Sequence, residues 1–259
     1  MSIRTIFMQQ GDLMTETDLR VTQKHEAYEF LKGLQKHLNA SLPSPQQMRK
    51  EVRDIVTNSR NENKQKHLNM PEAAFTNHFL IPRIFDVVSE RIGKDKAQQC
   101  MLSEYIAMRK DYCWKTSPQR QERHPFSKGI ADKPQTIMRR WKGEPNKQTI
   151  QSAPDLALRE PFPFNIVFEL KYFDKGGVEK ATTELVTDLY QAFFYRALPY
   201  VPPTKSKPSW DYEYACLLAC DASPDGTLYQ SWESLPPKVK RGFWEGANVY
   251  AMILRSDAR

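Results

Sequence analysis

Residues 165–173, "NIVFELKYF", constrain this chain more than any other stretch. The segment is as apolar and aromatic as a buried strand, yet Glu169 and Lys171 stand inside it. Alternation along a strand puts Val167, Glu169 and Lys171 on one face, and Ile166, Phe168, Leu170 and Tyr172 on the other. Charge within apolar surroundings is costly unless something compensates it. Either this is an ordinary solvated strand face, or the charges jointly hold a ligand.

The preceding residues favour a ligand. Residues 155–158, "DLAL", read as a second strand, joined to the first through "REPFPF" as a hairpin. A partner strand starting at Asp155 brings that aspartate beside Glu169. Two carboxylates on adjacent strands make a hard oxygen site suited to Mg²⁺, with Mn²⁺ as a substitute, and the backbone carbonyl of Leu170 adds a third ligand. Lys171, one step along the same face, then points at a bound phosphate or an attacking water. In the plainer reading, Asp155 simply begins a strand after Pro154.

Around this hairpin the chain changes character. Residues 25–38, "HEAYEFLKGLQKHL", predict a helix with Tyr28, Leu31, Leu34 and Leu38 on one stripe. A second helix starts with Ser44 as cap and Pro45 at its first position, with Met48, Val52 and Ile55 inward. A third starts at Pro71 with the stripe Phe75, Phe79, Ile84 and Val88, and Pro82 should bend or split it. A fourth helix is expected over 94–112, offering Cys100, Leu102 and Ile106 for packing. After Ile150, strands and helices alternate: a long helix in "EKATTELVTDLYQAFFYRAL", a buried strand in "YEYACLLACDA", a short helix in "LPPKVKRGFWEGA" and a last strand in "NVYAMILR". This pattern predicts an α/β fold with a helix-covered sheet, preceded by a mainly helical part. The expected division is a helical N-terminal region over 1–66 and a second domain over 67–259.

Charge points the same way. The chain of 259 residues has a formal net charge of +7, and residues 109–150 alone hold eleven Lys or Arg against four Asp or Glu. This segment is expected to be mostly loop, with one strand at "TIMRRW". Arg139, Arg140, Trp141 and Lys142 are its candidate DNA contacts, because an aromatic among basic groups reaches bases while they hold phosphates; the alternative is a solvated loop. No apolar run reaches membrane-spanning length and no secretory signal is evident, so no membrane partner is expected. The four cysteines lack metal-binding spacing, which suits a reducing, cytoplasmic setting.

Pro154-Asp155 at the head of one strand and Glu169-Leu170-Lys171 in the next resemble the signature of the PD-(D/E)XK phosphodiesterase superfamily, the restriction-endonuclease-like nucleases. The resemblance covers roughly 70–259, with its specific part in 154–195. It implies a restriction-endonuclease-like mixed sheet flanked by helices, with Asp155 and Glu169 as metal ligands and Lys171 positioning water or stabilising charge. It also implies a glutamate on an earlier helix near the metal, matched by Glu72, whose plain alternative is first-turn helix-dipole chemistry. One exonuclease-like branch carries Gln-x-x-x-Tyr after the lysine strand. Gln191 and Tyr195 match it, although that branch often has a histidine and a differently written first acid motif. Tyr195 reads as a core aromatic rather than a catalytic group, since aromatics on helices usually pack, and His67 and His78 read as incidental polar residues beside the candidate helix.

The resemblance thus implies a Mg²⁺-dependent endodeoxyribonuclease, first of all a restriction endonuclease. It would act on DNA as a homodimer and be accompanied by a cognate methyltransferase. The alternatives are a repair or recombination exonuclease or structure-specific nuclease, a non-catalytic DNA-binding protein on the same fold, and a structural or toxin-like partner protein in which Lys171 pairs internally. The chain has no Gly-x-x-x-x-Gly-Lys-Ser/Thr nucleotide loop, so any motor function would come from another chain.

Overall fold

The structure, a computed structural model, describes residues 16–62, 70–103, 110–113, 149–152, 154–197, 200–201, 213–235 and 248–255. In chain order these form α1 (Glu16–Ser41), α2 (Pro45–Glu62), α3 (Pro71–Phe75), a π-helical turn (Thr76–Leu80), α4 (Ile81–Ile92), α5 (Lys94–Cys100), β1 (Met101–Ser103), β2 (Lys110–Cys113), β3 (Thr149–Ser152), β4 (Leu156–Leu158), β5 (Ile166–Phe173), α6 (Val178–Ala197), β6 (Tyr200–Val201), β7 (Tyr214–Asp221), α7 (Thr227–Ser234) and β8 (Val249–Leu254).

A five-stranded mixed sheet runs in the order β1-β4-β5-β7-β8. β1, β4 and β5 pair antiparallel, whereas β5, β7 and β8 pair parallel. β7 is buried along its whole length, as a central parallel strand covered on both faces should be. One sheet face carries Phe168, Leu170, Tyr172, Cys216, Leu218, Cys220, Met252 and Leu254. It shares a hydrophobic core with Leu31, Leu34, Met48, Phe75 and Ile84 from the N-terminal helices. α6 and α7 cover the opposite face, where β7 offers the small side chains Ala215 and Ala219. Both ends of the basic segment are in strands: β2 and β3 pair antiparallel, and β6 joins them in a separate three-stranded sheet.

The sequence pattern holds for α2, α6, β5, β7 and β8, and for the β4–β5 hairpin. The structure departs from it elsewhere. The helix expected over 94–112 stops at Cys100, and Met101 turns extended to start β1. Pairing Met101, Leu102 and Ser103 with Leu158, Ala157 and Leu156 outweighs local helix preference, because it completes the sheet beside β4. Ile106 lies outside the described residues. On α1, Tyr28 is 41 % exposed and the inward stripe is Ala27, Phe30, Leu31, Leu34 and Leu38.

Pro82 falls in the first turn of α4, just after the π-helical turn. There the Ile81 N–H reaches back five residues to the Thr76 carbonyl. The wider turn places the proline where its missing N–H is not needed. The helix α7 lies earlier than the short helix expected over 235–247, whose residues 236–247 are outside the described residues, as is "TIMRRW". α7 is capped from a distance: the Thr227 N–H donates to Ser223 Oγ, and the Tyr229 N–H to Asp221 Oδ2, each at 2.8 Å. The expected boundary at 66/67 falls within 63–69, also outside the described residues, while α1 and α2 pack into the same core as the sheet.

Candidate active site

Each charged residue of β5 acquires its neighbours from a different element. β4 covers only Ile166 to Phe168 of β5, so from Glu169 onward that edge has no strand partner among the described residues. Asp155 takes over there. Its Oδ2 accepts the Leu170 N–H at 2.7 Å, in place of the carbonyl that a longer β4 would have supplied. Continuing the register of Leu156 with Phe168 by one residue sets Asp155 opposite Glu169. Asp155 and Glu169 are both half-buried, and Leu170 between the two charged residues of β5 is buried on the other face.

Lys171 points from β5 into the layer formed by α6. Its side chain is 19 % exposed, and three carboxylates surround its ammonium: Glu72 Oε2 at 3.2 Å, Glu184 Oε2 at 3.8 Å and Asp188 Oδ2 at 3.8 Å. Glu72 comes from α3, which is fixed against the sheet by the stacking of Phe75 on Tyr172 at 4.7 Å. Phe75 in turn stacks on Phe79 across the π-helical turn. Glu184 and Asp188 are one turn apart on α6 and therefore share a face. Lys180, one turn before Glu184, pairs with it at 3.6 Å.

Burial alone would push the Lys171 ammonium toward neutrality, but Asp188, Glu72 and Glu184 outweigh it and hold the lysine above its ordinary value. For Asp188 burial dominates. It raises the carboxyl to about 7, opposed by Lys171 and reinforced by the negative charges of Glu72 and Glu184. Asp188 is buried, and its Oδ2 makes no hydrogen bond among the described residues; its contact with Lys171 is an ion pair beyond hydrogen-bond length.

The structure thus brings Glu72, Glu169 and Lys171 to one end of the hairpin with Asp155. Gln191 and Tyr195 both lie on α6, beyond Asp188. Arg139, Arg140, Trp141 and Lys142 lie outside the described residues, as does His67, and His78 is exposed in the π-helical turn. Sequence reading missed Glu184 and Asp188. The signal was present: two acids four residues apart fall within the stripe Ala181, Leu185, Leu189 and Ala192, which is buried. Acids on the buried face of a helix need a cation opposite.

Asp155, Glu169 and the Leu170 carbonyl are hard oxygen donors, the set Mg²⁺ prefers. Among the described residues no group of three or more His, Cys, Asp or Glu side chains is arranged to hold a metal, so the candidate set is two carboxylates and a carbonyl. The Leu170 N–H holds one oxygen of Asp155, orienting this carboxylate as an outer hydrogen bond orients a metal ligand. Comparison of the chain with protein-family models, with curated proteins and with solved structures returns no match.

Proposed function

We propose that this chain is a metal-dependent nuclease of the restriction-endonuclease-like type, hydrolysing DNA phosphodiester bonds. The observation that carries this reading is the meeting of Asp155, Glu169 and Lys171 at the open end of the β4–β5 hairpin, with Glu72 brought to Lys171 from a separate helix. The mixed sheet with helices on both faces is compatible with such a fold.

Asp155, Glu169 and the Leu170 carbonyl would hold Mg²⁺, which when bound polarises the phosphoryl group and lowers the pKa of a coordinated water. The carboxylates around Lys171 favour its ammonium form, which supports a part in stabilising negative charge. Charge balance supports a metal requirement. Around this end of the hairpin five carboxyl groups, of Asp155, Glu169, Glu72, Glu184 and Asp188, outnumber the two lysines Lys171 and Lys180. A phosphodiester approaching that excess would be repelled until divalent cations offset it, so metal should be needed for productive binding as well as for hydrolysis. The basic segment over 109–150 would hold the DNA backbone. A homodimer would cut both strands, and a cognate methyltransferase would accompany a restriction enzyme.

The encirclement of Lys171 also favours a second reading, in which the cluster is a structural ion network of a protein that binds DNA without cutting it. One experiment separates the two. Supercoiled and linear DNA are incubated with the protein in Mg²⁺ or EDTA, beside Asp155→Ala and Lys171→Ala variants. The nuclease reading expects cutting in Mg²⁺ that is lost in EDTA and in both variants. Discrete fragments would identify a site-specific restriction enzyme, and progressive loss from ends a repair or recombination nuclease. Absence of cutting together with salt-sensitive DNA binding that both variants retain would favour the structural reading.

A further inference from the structure

We infer that Asp188, together with Glu184 one turn earlier on α6, is a positioning residue for Lys171. The inference rests on the nuclease reading and extends it to two acids of α6 that the sequence signature does not include.

A lysine side chain leaving a strand has four rotatable bonds, and in a solvated site it would sample many of their settings. Here Nζ is held from two layers of the fold. Glu72 Oε2 approaches from α3 at 3.2 Å, while Glu184 Oε2 and Asp188 Oδ2 approach from α6 at 3.8 Å each. The two α6 carboxylates differ in kind. Glu184 is shared with Lys180 and is 31 % exposed, so solvent can compensate it. Asp188 has a side chain only 12 % exposed, and among the described residues its Oδ2 faces Lys171 without a hydrogen bond of its own. A buried carboxylate oxygen lacking a hydrogen bond is expensive and contributes little to holding the fold. Its position opposite Nζ is accounted for if it draws the ammonium toward α6 and limits its approach to Glu72. Lys171 is then fixed beside Glu169, where charge would develop during phosphodiester hydrolysis. Asp188 acts only through Lys171.

The test combines a chemical and a kinetic readout on the full chain. Asp188→Asn and Glu184→Gln keep side-chain shape and remove charge, and circular dichroism checks their folding. Trace acetylation with acetic anhydride, which attacks the free amine and is read by mass spectrometry, reports how far Lys171 is released from its carboxylates relative to the other lysines. Cleavage of plasmid DNA in Mg²⁺ gives kcat and KM. The expected result is faster acetylation of Lys171 in both variants, with kcat reduced about 10- to 100-fold and KM for DNA unchanged, since a small misplacement of a reacting group costs rate rather than binding. Unchanged acetylation in both variants would overturn the inference. So would faster acetylation with unchanged kcat, which would leave the nuclease reading intact. A wild-type chain that cuts no DNA, but whose variants expose Lys171, would sink the nuclease reading and reduce Asp188 to an internal ion-pair partner.

Discussion

Lys171 and Asp188 each make the other's burial tolerable, though unequally. Replacing Lys171 by Met would leave the buried Asp188 without its cation, with Lys180 beside Glu184 as the lysine still paired within the cluster. A loss of about 2–4 kcal/mol is expected in urea unfolding at neutral pH. Asp188 behaves in the opposite sense. Its carboxyl, raised to about 7 by burial, binds a proton more tightly in the folded chain than in the unfolded one, where an aspartate titrates near about 4. Its contribution to stability is therefore fullest at low pH and declines as pH rises from about 4 through about 7. Asp188→Asn should flatten this part of the stability profile and raise the urea midpoint above wild type at about pH 8. Unfolding curves between pH 5 and pH 8 would check it; a variant with an unchanged slope would show that Asp188 does not carry that proton.

At the scale of elements, short pieces are defined by what they join. β4 is three residues long, and its brevity lets an Asp155 carboxylate replace a strand carbonyl at Leu170. α7 has eight residues and depends on Asp221 and Ser223 for its free N–H groups. Asp221 is fully buried at the end of β7, also accepts from Ser223, and lies 3.5 Å from the Arg255 guanidinium. Gly226 makes the entry into α7 possible. Its φ is +65°, and a Cβ there would stand 3.1 Å from the guanidinium of Arg255. Gly226→Ala combines backbone strain with displacement of this arginine and is expected to cost about 1–3 kcal/mol, read as a lowered thermal midpoint. A midpoint equal to wild type would mean that the turn relaxes freely.

For the whole molecule, the described N-terminal helices and the sheet share one apolar core. Leu34 is completely buried within it. Leu34→Ala should lower stability by about 2–5 kcal/mol and, because α1 packs on the sheet, shift the unfolding of the whole unit. Far-ultraviolet circular dichroism and tryptophan fluorescence should follow coincident transitions in the variant and in wild type. Two separate transitions would instead mark residues 1–66 as an independently folding region. Among the described residues no helix is long and apolar enough to cross a membrane.

Local pattern determined much of this protein. Short apolar runs set β5, β7 and β8, a long helical pattern set α6, and Ser44 and Pro45 set the start of α2, because each depends on residues within a few positions of one another. The proximity of Asp155 to Glu169 was legible for the same reason, since one hairpin register fixes it. Position 72 was singled out by family resemblance, but that its carboxylate reaches Lys171 depends on how Phe75 stacks on Tyr172. The end of α5 at Cys100 and the strand that follows were decided by an edge of the sheet, which a local helical preference cannot anticipate. The helix stripe marked Glu184 and Asp188 as acids on an inward face, but only the packing of α6 on β5 set them against a lysine. Sequence alone marked the longer strands and helices and the two charges of β5 that needed compensation; the tertiary structure chose the partners, because ion pairing depends on distances between elements remote along the chain.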